Sequence, residues 1–456
     1  MSPSASGSGS PHDHVGSWYA AQAGRQALRA APSGEQHVQT VIVGGGLAGI
    51  STAWQLARAG CDVALVEAHR IGWGASGRNG GFVSPGFAES LAGVERQCGV
   101  PEAQALYALS RAGVTFVEDR IRELGISHLV GGRGKLKVIR TADLEVLQRQ
   151  ALRMARHYDS ELALWPADIL RETLVSERYH GALHDPEPFH IDPLAYAEAL
   201  AADAEKAGAR LFEQTHAEWL HRRGGSWQLD TLCRETGETA IITADHVVLA
   251  TSAYGSMHLA DLYPPLDQAI LPVATYVVTS EPLGARLDGA IRFPGCIADT
   301  RRAGDYYRIV GDGDGRRLLW GGRITTRRSE PHSLAEMLKT DILEIYPQLG
   351  DFRVEYAWSG LMGYTRRKMP VIGELEPGLW AATAFGGHGL NTSAMAGELV
   401  AGAIAGGDGR WKTFKSFHPG AIDRIAGGSS PVGRVGTQIA YWSMQLRDWW
   451  DERRSG

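Results

Sequence analysis

The chain has 456 residues, of which 44% are hydrophobic and 21% charged, with a formal net charge of −5. That supplies ample apolar matter for a large core and excludes disorder along its body, while the mild acidity leaves no electrostatic footprint for nucleic acid. No uncharged apolar run reaches the ~18 residues of a membrane-spanning helix.

Residues 1–35 are rich in Ser, Gly, Ala and Pro and lack the apolar stretch of a secretory signal. They read as a loose N-terminal arm, with Trp18 and Tyr19 as docking points. Order begins at 38–43, a β-branched run suited to a strand buried on both faces. Gly44 to Gly49 break it, a helix is expected over 50–59 with a stop at Gly60, and 62–67 reads as a second strand. This βαβ start predicts a right-handed crossover and a parallel sheet. Further on, 101–124 and 142–157 have helical patterns, with an alternating strand at 135–139 between them. His180, His184 and His190 lie near Asp185 and Asp192, but their spacing fits no helical ligand motif. Two prolines make that stretch a loop, so no metal is assigned.

A second α/β passage follows, with a helix to Lys206, a strand at 210–213 and a buried strand at 244–251. Residues 271–322 are strand-rich, with strands at 273–278, 306–309 and 318–320. A strand at 380–384 enters the turn at 385–389, and a helix is expected from about 392 to 404. In the tail, Val435, Ile439, Trp442, Leu446 and Trp449 recur at helical spacing. This C-terminal amphipathic helix, 426–456, is expected to pack back on the cofactor domain, with weak peripheral membrane association as the alternative. The four cysteines, Cys61, Cys98, Cys233 and Cys296, form no CxxC and read as free thiols in the cytoplasm.

Glycine supplies 57 residues without a collagen-like period. Its first informative cluster is Gly44-x-Gly46-x-x-Gly49, between a strand and a helix. A dinucleotide pyrophosphate approaches the backbone closely at a helix N-terminus, where side chains would obstruct it. Glu67, at the end of the second strand, is placed to accept hydrogen bonds from ribose hydroxyls. Residues 72–81 then offer backbone amides, Ser76 and Arg78 to a second large planar group.

VIVGGGLAGISTAWQLARAG, VEA and GWGASGRNGG resemble the D-amino-acid oxidase family of flavoproteins. IDPL at 191–194, VVLATSAYG at 247–255 and MPVIGELEPGLWAATAFGGHGLNTSAMAG at 369–397 extend the likeness from about residue 36 to 410. The GRNGG form and the SWY at 17–19 are most similar to the gamma-glutamylputrescine oxidase branch. The resemblance implies FAD, with Gly44, Gly46 and Gly49 at the pyrophosphate and Glu67 at the ribose. It places Ala75, Ser76, Arg78, Asn79, Gly80 and Gly81 along the pyrophosphate and flavin edge. Gly386, Gly387 and Gly389 precede a helix, so their amides and the positive helix end are expected to face the flavin. No cysteine stands before Tyr364–Thr365 and no histidine follows Ala75–Ser76, so the FAD is expected to be non-covalent.

The expected fold class is α/β, a Rossmann-type FAD-binding domain (36–90, 191–255, 355–425) interleaved with an α+β substrate domain on an antiparallel sheet (91–190, 256–354). Catalytic candidates are His388, Tyr307 and Arg308. Tyr306, Tyr307 and Arg308 share a strand, so Tyr307 faces opposite to its neighbours, and Arg308 is a candidate carboxylate clamp. An ordinary sheet face is the competing reading, as helix capping is for His388 and core packing for an aromatic wall of Trp358 and Tyr364. The resemblance implies oxidation of a small-molecule primary or secondary amine to an imine, with dioxygen as acceptor and hydrogen peroxide released. The alternatives are a dehydrogenase serving a quinone or protein partner, an enzyme of modified tRNA, and a non-catalytic flavin-binding subunit.

Overall fold

Val41, Ile42 and Val43 are enclosed on both faces, because they lie in the middle of a parallel sheet: Ile42 packs with helix residues on one face, and Val41 and Val43 pack with Leu220, Trp227 and Leu229 on the other. The computed structural model describes residues 13–24, 26–255, 262–301, 304–326, 330–420, 423 and 431–455. Strand Gly34–Val43 pairs in parallel with Thr239–Leu249 on one side and Val63–Val66 on the other. Arg210–Phe212 and Leu379–Thr383 extend the parallel array, Val371–Glu376 closes one edge antiparallel, and a hairpin of Thr215–Arg223 and Ser226–Cys233 flanks it.

Helix Leu47–Arg58 begins at Gly46, buries Ile50, Ala53 and Leu56, and packs against helices Pro193–Lys206 and Gly389–Gly406. Gly397 allows that last contact, since a Cβ there would stand 2.6 Å from the Ser51 Cβ. Asp192 starts helix Pro193–Lys206 by accepting from the Leu194 and Ala195 amides.

The second sheet runs in the order Val354–Tyr364, Leu271–Ser280, Arg317–Thr325, Tyr306–Val310, Cys296–Asp299, Val130–Ile139, Gly181–Ile191 and Phe82–Val83. The molecule is therefore α/β, a Rossmann-type sheet interleaved with an α+β unit. The second sheet is antiparallel except where Cys296–Asp299 meets Val130–Ile139 in parallel, a pairing that a long crossover permits.

Several expectations are corrected here. Strand Val354–Tyr364 pairs along its length with Leu271–Ser280, so the sequence boundary at 355 falls inside the second sheet, as Phe82–Val83 does. Conversely, Val94 and helix Val100–Glu123 share the core of the parallel sheet, through Leu106, Val114, Val117 and Ile121. The stretch expected as a loop at 181–191 is a strand. Pro186 and Pro188 sit where its register with Val130–Ile139 shifts, a bulge where no ladder hydrogen bond is demanded of them.

Within the arm, residues 13–24 are not loose. Ser17 caps helix Trp18–Ala23 through a hydrogen bond from the Ala20 amide, and Tyr19 is buried edge-on against Trp358 at 5.7 Å. Arg29 pairs with Glu198, Glu205 and Glu213. Aromatic burial and these ion pairs offset the cost of ordering the segment. Residues 1–12 of the arm lie outside the described residues, as do 421–422 and 424–430, where the cofactor segment was expected to give way to the tail.

The tail forms helix Pro431–Ser455, which was expected against the cofactor domain; among the described residues its contacts are with the second sheet. Gln438 accepts hydrogen bonds from Thr325 and Thr326, and Glu452 pairs with Arg178. Ile439, Trp442, Leu446 and Trp450 stay exposed. The side chains of Val435 and Trp449 lie outside the described residues. Among the described residues, no helix is long and apolar enough to cross a membrane.

Candidate functional site

A cavity of about 850 Å³ is lined by residues of both sheets. Gly44 and Gly46 line it where strand Gly34–Val43 ends and helix Leu47–Arg58 begins. Gly44 has φ +114°, and a Cβ there would lie 2.8 Å from the Ala250 carbonyl oxygen. Gly49 does not reach the cavity; a Cβ on it would stand 2.0 Å from the Gly44 carbonyl oxygen, so it sets how closely helix and turn approach. Glu67 accepts from the amides of Gly45 (2.6 Å) and His69 (2.8 Å). Burial nevertheless pushes its carboxyl up to about 7, with those hydrogen bonds opposing the shift.

Ala75, Ser76, Arg78, Asn79 and Gly80 also line the cavity. Ser76 Oγ accepts from the Leu47 amide at 2.9 Å and ties this loop to the first helix turn. Arg78 lies over the rings of Trp73 (4.2 Å) and Tyr254 (5.3 Å), and its Nη2 is buried without a hydrogen-bond partner. Asn79 holds the loop's shape, donating to the Ala75 and Ser76 carbonyls and accepting from the Gly81 amide. Gly81 lies off the cavity, packed against the Ile191 carbonyl and Arg308.

From the other side come Gly386, Gly387, His388 and Gly389, at the start of helix Gly389–Gly406, which has no side-chain cap. Its first amides therefore point an uncompensated positive end at the cavity. Burial pushes the His388 imidazole down to about 3, with the charges of Lys135 and Lys137 adding to the effect. His388 is thus neutral at physiological pH.

Tyr307 and Arg308 are not at the cavity. Tyr307 faces the core of the second domain, stacked on Trp320 at 4.1 Å, with its hydroxyl joined to those of Tyr179 (3.0 Å) and Tyr346 (2.7 Å). The alternation expected from sequence holds, but the cavity side belongs to Tyr306. Arg308 is buried, donating to the Gly80 and Ile191 carbonyls, the Tyr19 hydroxyl and His190 Nδ1. His190 in turn donates Nε2–H to the Pro294 carbonyl at 2.9 Å. With every direction of the guanidinium engaged inside the protein, it is a brace and not a carboxylate clamp. Trp358 is likewise a support, donating to the Arg78 carbonyl at 2.9 Å, whereas Tyr364 does line the cavity.

Among the lining residues not singled out from sequence are Phe82, Ser84 and Lys135. Phe82 meets Tyr306 edge-on at 5.9 Å, and with Tyr364 they give the cavity aromatic walls beside the glycine turns, the Tyr306 ring against Gly80 and the Tyr364 ring against Gly386.

A family model described as FAD dependent oxidoreductase matches residues 39–403. The chain belongs to this FAD-dependent oxidoreductase family. It is 30% identical over 407 residues to the gamma-glutamylputrescine oxidoreductase of Escherichia coli K12, covering 89% of this chain and 92% of that protein. To a probable oxidoreductase, OrdL, of Haemophilus influenzae it is 29% identical, covering 84% and 86% of the two chains. Among solved structures, it superposes on L-proline dehydrogenase from P. horikoshii with a TM-score of 0.68 at 20% identity, over 83% of this chain and 96% of that one. Glycine oxidase from Geobacillus kaustophilus gives 0.66 at 22% identity, over 81% and 95%.

FAD is thus the cofactor of this oxidoreductase, and the cavity's chemistry fits it. Arg78 Nη2 and Thr251 Oγ1 are buried polar atoms left without partners, and both residues line the cavity. Two helix N-termini, at Leu47 and Gly389, supply positive dipole ends for anionic groups. Nothing stands within 4 Å of a Cβ built on Gly389, so that side of the turn is open to a ligand.

Proposed function

We propose that this FAD-dependent oxidoreductase is an amine oxidase, converting a primary or secondary amine, an amino acid or polyamine conjugate, to an imine that hydrolyses to a carbonyl. Dioxygen is the electron acceptor and hydrogen peroxide the second product. The observation that carries this reading is one cavity whose glycine turns and helix ends suit FAD and whose aromatic walls are Phe82, Tyr306 and Tyr364. The similarity to gamma-glutamylputrescine oxidoreductase supports the choice of an amine.

In this reading Gly44 and Gly46 admit the pyrophosphate, Glu67 takes the ribose hydroxyls, and Ser76 and Arg78 hold the pyrophosphate and flavin edge. The amides of Gly386, Gly387 and Gly389 face the flavin. When bound, FAD supplies the two-electron acceptor. The protein's part is to hold a neutral amine with its Cα–H toward that acceptor and to keep water away, which the aromatic walls do. His388, held neutral, offers a hydrogen bond without adding charge. The FAD is non-covalent in this proposal, in keeping with the lack of a cysteine just before Tyr364–Thr365 and of a histidine after Ala75–Ser76. The cytoplasm is its place, in keeping with four unpaired cysteines.

Peroxide yield tests the acceptor. With gamma-glutamylputrescine as substrate in air, the holoenzyme forms one hydrogen peroxide per amine consumed. Reduction of an added quinone with no peroxide would make it a dehydrogenase instead.

A further inference from the structure

Strand Val130–Ile139 alternates strictly at its C-terminal end. Leu136 and Val138 are fully buried in the core of the second domain, so Lys135 and Lys137 share the opposite face. Lys135 lines the cavity beside Ser84, with Nζ 3.4 Å from the Ser84 hydroxyl. Lys137 donates to Gln150 Oε1 at 2.9 Å. Among the described residues neither ammonium pairs with a carboxylate. The acid opposite Lys135 in the ladder, Asp185, accepts instead from the Glu187 amide.

Two ammonium groups on one strand face, roughly 7 Å apart along the backbone, repel each other and lose hydration; the charge of Asp185, opposite Lys135, offsets this only in part, since it forms no ion pair with either among the described residues. Burial pulls Lys135 below its ordinary value, and burial together with the Lys135 charge pulls Lys137 down to about 8. His388, on the adjoining turn, is neutral and offers them no negative partner. A like-charged pair in such a place is relieved by an anion that arrives with the ligand. FAD's own anionic groups already have Arg78 and two helix ends, so the lysines are available to the substrate.

We infer that Lys135, backed by Lys137, is a specificity-determining residue that receives a carboxylate of the substrate, so that the preferred amine carries an acidic group as well as the reacting nitrogen. This rests on the amine-oxidase reading and narrows its substrate class. The aromatic walls would take the amine end while Lys135 and the Ser84 hydroxyl take the acid.

The test uses the FAD-loaded protein and two probes. Glutarate, which cannot be oxidised as an amine, should perturb the spectrum of the bound flavin, and Lys135→Met should weaken its binding about tenfold or more, as expected for loss of a charge-assisted contact. Lys135→Arg should retain most of that affinity, a rescue that a purely structural lysine would not show. In anaerobic reduction, 5-aminovalerate should outperform pentylamine in the wild type, and K135M should narrow that ratio by raising the amino acid's Kd more than it lowers the limiting rate. The inference is overturned if glutarate does not bind the wild type, if it binds K135M equally well, or if K135M slows both amines in parallel. Should no amine reduce the flavin while glutarate still discriminates K135M from wild type, the anion subsite stands and the amine-oxidase reading falls.

Discussion

The guanidinium of Arg308 touches two carbonyls, a tyrosine hydroxyl and an imidazole nitrogen, on segments that lie far apart in sequence. Replacing it with alanine leaves the Gly80 and Ile191 carbonyls buried without that donor, and should cost about 3 kcal/mol of stability. Urea denaturation of Arg308→Ala checks this. Near-native stability combined with a selective loss of affinity for carboxylate-bearing amines would restore the clamp role suggested by the sequence. The strand alternation of Tyr306, Tyr307 and Arg308 was legible, because side chains on a strand must alternate. Which face met the cavity was not, because that depends on Tyr179, Tyr346 and Trp320 collecting on the other side. Lys135 was hidden for the same reason. The sequence shows only an alternating strand at 135–139; that its lysine face meets Ser84 and the cavity depends on residues remote in sequence.

Among the elements, the strand–turn–helix at Gly44–Gly49 was the most legible. A close backbone approach excludes side chains whatever the rest of the chain does, so its glycines are visible in one dimension. Strand Gly181–Ile191 was misread because Pro186 and Pro188 are poor strand residues; only the partner strand reveals the bulge that accommodates them. Helix Trp18–Ala23 was hidden in a Ser- and Gly-rich arm, and its reason for existing lies in Trp358, Asn79 and Arg308. The C-terminal helix was recognisable from its period, yet Gln438 and Glu452, which tie it to the second domain, are polar residues that a hydrophobic pattern ignores.

Across the whole molecule, interleaving brings glycine turns from three segments around one cavity, a juxtaposition signalled by motif and not by composition. It also buries histidines as neutral groups. His190 and His388 are each pushed down to about 3, by burial first and then by Arg308 and by the two lysines respectively. At these two positions the unfolded chain, with ordinary histidines, binds more protons between about pH 6.5 and 3, so their contribution to stability falls as pH drops through that window. Glu67, pushed up to about 7, contributes in the opposite sense, so the histidine effect is read by difference: the loss of Tm between pH 7.5 and pH 5 should be smaller in His190→Gln than in the wild type, and an unchanged loss would contradict this. The central claim is that the cavity unites FAD with an amine. Its most direct measurement is anaerobic titration of the FAD-loaded protein with a panel of amines, followed at the flavin absorbance. Stoichiometric bleaching by at least one amine is expected, with colour returning on admission of air; a flavin that stays oxidised with every amine in the panel would contradict an amine site beside FAD.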